Sequence, residues 1–197
     1  MARMRVNGDG DTASRILDCA EALVQVRGFN GFSYADVAAQ LEVTKASLHY
    51  HFPGKAELGS ALITRYATRF NAALAEIGAR GDDAPAKLTA YAQLYADVLR
   101  ARRMCLCGML AAEYQTLPEA MRDAVIGFFD GNETWVEGVL AEGRDAGTLA
   151  FTGGPREAAQ LIVSTLEGAL LVARPHGDVE RFETAARWLL AGFEESS

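Results

Sequence analysis

Between residues 58 and 77, Leu58, Leu62, Tyr66, Phe70, Leu74 and Ile77 recur at steps of three or four. That period is the turn of an α-helix, not the two-residue alternation of a strand, so the stretch predicts one long helix with an apolar stripe. The same period returns in 12–27 through Ile16, Ala20, Leu23 and Val24, and in 87–103 through Leu88, Tyr91, Leu94 or Tyr95, and Val98. Residues 104–115 are almost wholly apolar and are expected to be buried all round. Pro118 opens another periodic run to Gly147, and 156–174 and 179–195 read as two amphipathic helices around a Pro-His-Gly-Asp turn. Only 148–155 has a non-helical character, and it is too short for a sheet. The fold class this imposes is all-α, with about nine helices in total.

Ahead of the long helix the segments are shorter. Thr12 is the expected cap of the first and Gly28 its stop. Ser33 with Asp36 three residues on has the spacing of a capping box, and Val37, Ala38 and Leu41 form the apolar face behind it. After the short Glu42-Val43 link, Thr44 caps a third segment carrying Leu48 and Phe52, which Pro53 and Gly54 end. Two short helices joined by three or four residues make a helix-turn-helix by spacing alone. The expected organisation is a three-helix helix-turn-helix domain over residues 1–58, opened by a flexible arm, and a larger helical bundle over 59–197.

Half of the 197 residues are apolar, which is enough for a sizeable core and excludes a disordered chain. The net charge is −7, the wrong sign for attracting a polyanion, until it is divided by region. Residues 1–55 hold six basic and six acidic side chains, leaving 13 basic and 20 acidic for the other 142. The acidity therefore lies outside the helix-turn-helix, where a local basic patch is permitted. No apolar run approaches the roughly 18 residues needed to cross a bilayer, and the N-terminus lacks the apolar stretch of a secretory signal. Three cysteines, an odd number, fit a reducing cytoplasm better than a disulfide framework.

Residues 28–58, GFNGFSYADVAAQLEVTKASLHYHFPGKAEL, strongly resemble the TetR family of bacterial transcriptional regulators. The match runs from the glycine after the first helix through the Val-Thr-Lys turn and Leu-His-Tyr-His-Phe to the Gly-Lys-x-x-Leu entry of the fourth helix. Beyond residue 65 the likeness is one of architecture: helical content, total length and a final helix pair. The resemblance implies a homodimeric repressor on double-stranded DNA, released by a small-molecule effector of unknown identity. No cofactor, no metal, no membrane and no enzymatic activity are expected. A helix in the major groove reads bases from its N-terminal end. Thr44, Lys45, Ala46, Ser47 and His49 form that reading end. The resemblance assigns phosphate contacts to Tyr50, His51 and Lys55, and Ser33 and Tyr34 join the DNA-facing set. A two-fold dimer predicts a palindromic operator with half-sites about one turn, ~34–36 Å, apart.

The remaining constellations are weaker. Cys105 and Cys107 are buried apolar residues or an electrophile and redox sensor, the latter requiring Arg102 or Arg103 to lower a thiol pKa. Tyr66, Phe70, Tyr91, Tyr95, Met109, Phe128 and Trp135, with Met104, Tyr114 and Phe129, are the apolar candidates for a ligand pocket. Glu113 and Glu167 are candidates for its polar groups. Leu166, Gly168, Leu170, Trp188, Leu189 and Phe193 are the expected four-helix dimer contact. A helical enzyme carrying a helix-turn-helix is the remaining alternative, but the sequence shows no nucleophile–base pair, metal spacing or phosphate loop.

Overall fold

The structure, a computed structural model, describes residues 8–194. Nine α-helices account for about three quarters of them: α1 Gly8–Arg27, α2 Tyr34–Leu41, α3 Lys45–His51, α4 Lys55–Ala79, α5 Ala84–Arg100, α6 Leu106–Ala112, α7 Glu119–Asp145, α8 Pro155–Ala173 and α9 Val179–Ala191. Short 3-10 turns at Tyr114–Thr116 and Arg174–His176 close α6 and α8, and the described residues contain no strand. The all-α class and the count both follow the apolar period.

Local chemistry sets the helix ends. Asp36 reaches back to Ser33, accepting from its N–H at 2.7 Å and its Oγ–H at 2.6 Å. Thr44 Oγ1 accepts from Ser47 N at 3.2 Å, and Asp83 Oδ1 from Ala86 N at 2.9 Å with Pro85 in the first turn. Gly28 stands at φ +82°, and a Cβ there would meet the Glu113 carboxylate at 2.8 Å, so both conformation and space require glycine. Helix α1 begins earlier than expected. Thr12 lies inside it rather than capping it, and the expected arm is helical from Gly8; residues 1–7 of that arm lie outside the described residues.

Ile16, Ala20 and Val24 of α1, Val37 of α2, Leu48 of α3 and Leu58 of α4 are all buried in the N-terminal core. Helix α4 continues from it, carrying Tyr66, Phe70 and Leu74 into the larger bundle, and one buried cluster runs through both. Within the bundle Tyr91 and Tyr95 hydroxyls lie 3.0 Å apart, and Tyr91 donates to Asn132 Oδ1 at 3.2 Å. Asn132 Nδ2 in turn donates to Phe128 O at 2.8 Å. A satisfied buried network of this kind fixes the α5–α7 packing. Helix α6 departs from expectation. Leu106, Cys107 and Leu110 are buried, but Ala111 and Ala112 are exposed, because the helix is one wall of a cavity rather than a central strut.

Candidate functional site

Helix α3 is anchored by Leu48 and presents its other faces. Thr44, Lys45, Ala46, His49 and Tyr50 are exposed, Tyr50 to 73%, while Ser47 and His51 are half-buried. His49 Nδ1 lies 2.9 Å from Pro53 O, and its ring packs 4.8 Å from that of Tyr34. With Nδ1–H donating to the carbonyl, Nε2 is the imidazole nitrogen left for another partner. The Tyr50 ring meets His51 edge-on at 5.1 Å. One helix thus brings an ammonium, an imidazole and a phenol onto one surface.

Three residues expected on that surface do other work. The Tyr34 ring is buried, and its hydroxyl donates to Phe52 O at 2.8 Å and Gly54 O at 2.7 Å, closing the turn after α3. Burial, with Glu57 adding to it, pushes its pKa up to about 12, so it acts as a permanent donor. Ser33 spends its hydroxyl on Asp36, whose carboxyl it holds below the usual range. Lys55, expected at phosphate, has two donors engaged inside its own domain. Its Nζ donates to Phe29 O and Phe32 O, both at 2.5 Å, and sits 4.7 and 4.3 Å from the centroids of the Phe29 and Phe32 rings. The ammonium points into its own domain and holds the α1–α2 turn; burial lowers its pKa, opposed by the charges of Glu113 and Asp36.

Glu113 is likewise no pocket residue. Its carboxylate accepts from Phe29 N at 2.5 Å and Asn30 N at 3.2 Å, in that same turn. Asn30 Nδ2 donates to Thr116 Oγ1 at 2.7 Å, Met104 N to Gln25 O at 3.2 Å, and Arg174 Nη2 to Val26 O. The end of α1 is therefore tied to the segment before α6, the turn after it and the end of α8. Glu21 and Asp18 add a second tie, through Arg65 and Arg69 of α4. Sequence reading missed Arg174, although a basic residue closing so apolar a helix was a visible signal.

Of the residues expected at a pocket, the structure brings Met104, Met109, Phe129 and Glu167 to a cavity between α6, α7 and α8. Its volume is about 430 Å³, and Met104, Phe129, Glu133, Val163 and Glu167 line it with Met109. Phe128 lines a separate, smaller cavity against α4. Tyr66, Phe70, Tyr91 and Tyr95 are corrected to core: their rings pack on one another and on Phe128 at 5.2 to 6.2 Å. Trp135 stacks on Tyr91 at 5.7 Å. Glu167, an acid inside an apolar helix, stands on the cavity wall, where burial raises its pKa to about 7 against a lowering hydrogen bond from Cys105. Glu133 gave no sequence signal, since nothing in a solvated-looking α7 stretch marks it.

Cys105 and Cys107 are both fully buried, and burial followed by the Glu167 charge pushes both thiols up. That is opposite to the lowering that an arginine-activated sensor requires, and Arg102, itself left-handed at φ +56°, is exposed. Leu166, Leu170 and Phe193 are also corrected. They are buried within the chain's own bundle, Phe193 against Phe151 at 5.5 Å, and offer no surface to a partner. Gly168 and Trp188 are exposed, Trp188 to 77%, and Leu189 is half-buried. Leu161, Leu171 and Val172, which the sequence reading passed over, are exposed beside Gly168 on α8.

Two family models match the chain. That described as "Bacterial regulatory proteins, tetR family" covers residues 16–62, and "Tetracyclin repressor-like, C-terminal domain" covers 84–189. A TetR-family transcriptional regulator from Agrobacterium tumefaciens has a similar structure, with TM-score 0.92 and 33% identity over 95% of this chain and 100% of that one. A TetR transcriptional regulator from Legionella pneumophila gives TM-score 0.86 and 31% identity over 97% and 100%. The HTH-type transcriptional repressor NemR of Escherichia coli strain K12 is 28% identical over 186 residues, 92% of this chain and 94% of that protein. The crystal structure of its reduced form gives TM-score 0.81 over 93% and 97%.

Proposed function

The chain belongs to the TetR family of bacterial transcriptional regulators, and on that premise we propose how it works: as a homodimeric repressor whose α3 helices enter the major groove at the two halves of a palindromic operator. Residues 1–58 form the DNA-binding unit and 59–197 the ligand-binding and dimerising unit. Lys45, Ser47 and His49 reach base edges or adjacent phosphates, Thr44 and Tyr50 contact backbone phosphate, and Leu48 holds the helix to its domain. The protein works where its DNA is, in the cytoplasm; no described helix is long and apolar enough to cross a membrane. A second copy covers the exposed stripe of Leu161, Gly168 and Val172 on α8 with Trp188 on α9. Positions 161, 168 and 172 fall on one helical face, and glycine in the middle lets backbones approach.

The observation that carries the regulatory part is the position of α6. The helix forms a wall of the 430 Å³ cavity, and Glu113, at its end, holds the α1–α2 turn of the DNA-binding unit. A small molecule that prefers a conformer with α6 displaced shifts Glu113, the α1–α2 turn and, through Lys55, the start of α4. The separation of the two recognition helices then changes and DNA is released.

The test is a salt-dependent titration against palindromic DNA from the region upstream of the protein's own gene. The double substitution Lys45→Ala plus Tyr50→Ala should weaken binding at least about tenfold and lower the salt slope by about one unit for the lost cation–phosphate contact. Unchanged affinity and slope would remove α3 as the DNA-facing element.

A further inference from the structure

We propose that the α6–α7–α8 cavity takes a protonated amine on a compact apolar body, with the ammonium seated on Glu167. The proposal rests on reading that cavity as the effector site, and it names the chemistry of the effector.

The carboxylate is built in and left incomplete. Glu167 Oε1 is buried without a hydrogen-bond partner. Oε2 lies over the α6 backbone so closely that a Cβ at Gly108 would stand 2.5 Å from it. Glycine at 108 leaves room for the carboxylate, which lies against α6 at the cavity wall. Its one side-chain donor is the Cys105 thiol, a weak one. An ionised carboxylate accepts about four hydrogen bonds, and leaving a buried one short of donors is costly. The unfilled oxygen therefore calls for a donor from outside the chain.

The surroundings decide which donor. A second carboxylate, Glu133, lines the same cavity and touches Gln160 Nε2 at 3.4 Å. None of the lining residues is Lys, Arg or His. Arg174 comes near, its Nη1 3.2 Å from the Met109 sulfur, but it does not line the cavity and its Nη2 donates to Val26 O. Toward Glu167 face Tyr66 from α4, Tyr91 and Tyr95 from α5, and Cys105 and Cys107 from the start of α6. All five are neutral at pH 7, since burial pushes each of their pKa values up. An anionic ligand meets two carboxylates and no cation. A neutral alcohol supplies one donor and leaves the charge buried. An ammonium fills several lone pairs and cancels the charge together. Met104, Met109, Phe129, Val163 and Leu171 supply the apolar and polarisable remainder for the ligand's body.

A pH signature follows. With its pKa raised to about 7, Glu167 in the empty cavity holds a proton through mildly acid pH, and an arriving ammonium expels it. Amine affinity should then rise about tenfold per pH unit below 7 and level off above it, until the amine itself loses its proton.

The experiment is calorimetric titration of the full chain with propylamine, cyclohexylamine and 2-phenylethylamine, each beside its matched alcohol and carboxylate, at pH 6, 7 and 8. At least one amine should bind, with its alcohol and carboxylate counterparts at least about tenfold weaker. Glu167→Gln should weaken that amine by about tenfold or more and abolish the pH dependence, while thermal unfolding confirms that the variant is folded. Glu133→Gln should weaken it less. Binding of no amine, equal binding of amine and alcohol, or an amine affinity unchanged in Glu167→Gln would each overturn the proposal. The same amines are added to the DNA complex. An amine that binds through Glu167 and leaves DNA affinity unchanged supports the site and overturns the effector reading of the cavity.

Discussion

Glu113 joins the ligand-binding bundle to the DNA-binding unit, and replacing it with alanine isolates the strength of that joint. The substitution removes the acceptor of two backbone N–H groups, Phe29 at 2.5 Å and Asn30 at 3.2 Å. Asn30 is exposed, so water replaces the lost acceptor there at little cost. Phe29 is buried, and a hydrogen bond from a buried N–H to a charged acceptor is worth about 1.5–3 kcal/mol. The expected loss is about 2 kcal/mol, or roughly 4–8 °C in melting temperature for a chain of this size. Glu113→Gln keeps one acceptor oxygen and should lose about half as much. The assay is thermal unfolding followed by circular dichroism, with the exposed Glu119→Ala as the control expected within about 0.5 kcal/mol of wild type. In the same variant, cavity ligands should still bind but release DNA less. A melting point within about 1 °C of wild type, or undiminished ligand release, would refute Glu113 as the joint.

Three further outcomes follow from burial. Glu167 titrates near 7 when folded and near 4.5 otherwise, so its contribution is complete below 4.5 and lost as pH rises through 7. Relative to Glu167→Gln, the wild type should therefore lose about 3 kcal/mol of stability across that window and nothing further above it, as read by urea unfolding at stepped pH. Cys105 and Cys107 should react with iodoacetamide at pH 8 at least about tenfold more slowly in the folded chain than in urea, because both thiols are buried and their pKa values raised. Trp188→Glu should shift the light-scattering mass from two copies toward one with little change in monomer stability, whereas Leu166→Ala should cost about 2–5 kcal/mol as a core cavity.

The fold was legible because helical period is a local signal, set by spacing along the chain and punctuated by Ser33, Thr44, Pro53 and Pro118. The long-range partners of polar groups were not. Lys55 looks like a phosphate contact at the start of a helix, and only the tertiary structure shows Phe29 and Phe32 carbonyls 26 and 23 residues away claiming its ammonium. Glu113 is 84 residues from Phe29, a separation over which no spacing rule operates. Leu166 and Trp188 show the limit on a single face. Each belongs to an amphipathic helix, but which stripe meets its own bundle and which is left exposed depends on how α8 and α9 roll against α5 and α7. The aromatic run was over-read for the same reason: Tyr91 and Tyr95 have the residue type of a pocket wall but satisfy their hydroxyls with each other and Asn132.

Helix α6 has seven residues, about 10 Å from end to end at 1.5 Å per residue. Cys105 caps its start beside Glu167, and Glu113 caps its end beside Phe29. On the proposed mechanism so short a helix shifts as one body. On the same mechanism, displacement of α6 at the cavity reaches the α1–α2 turn through Glu113. The turn cannot absorb it, since Lys55 clamps Phe29 and Phe32 carbonyls from inside while Gly28 leaves no space between backbone and carboxylate. On that mechanism the motion passes to α4, whose first residue is that same lysine. Lys55 thus serves the DNA-binding unit from within, tying the α1–α2 turn to the start of α4.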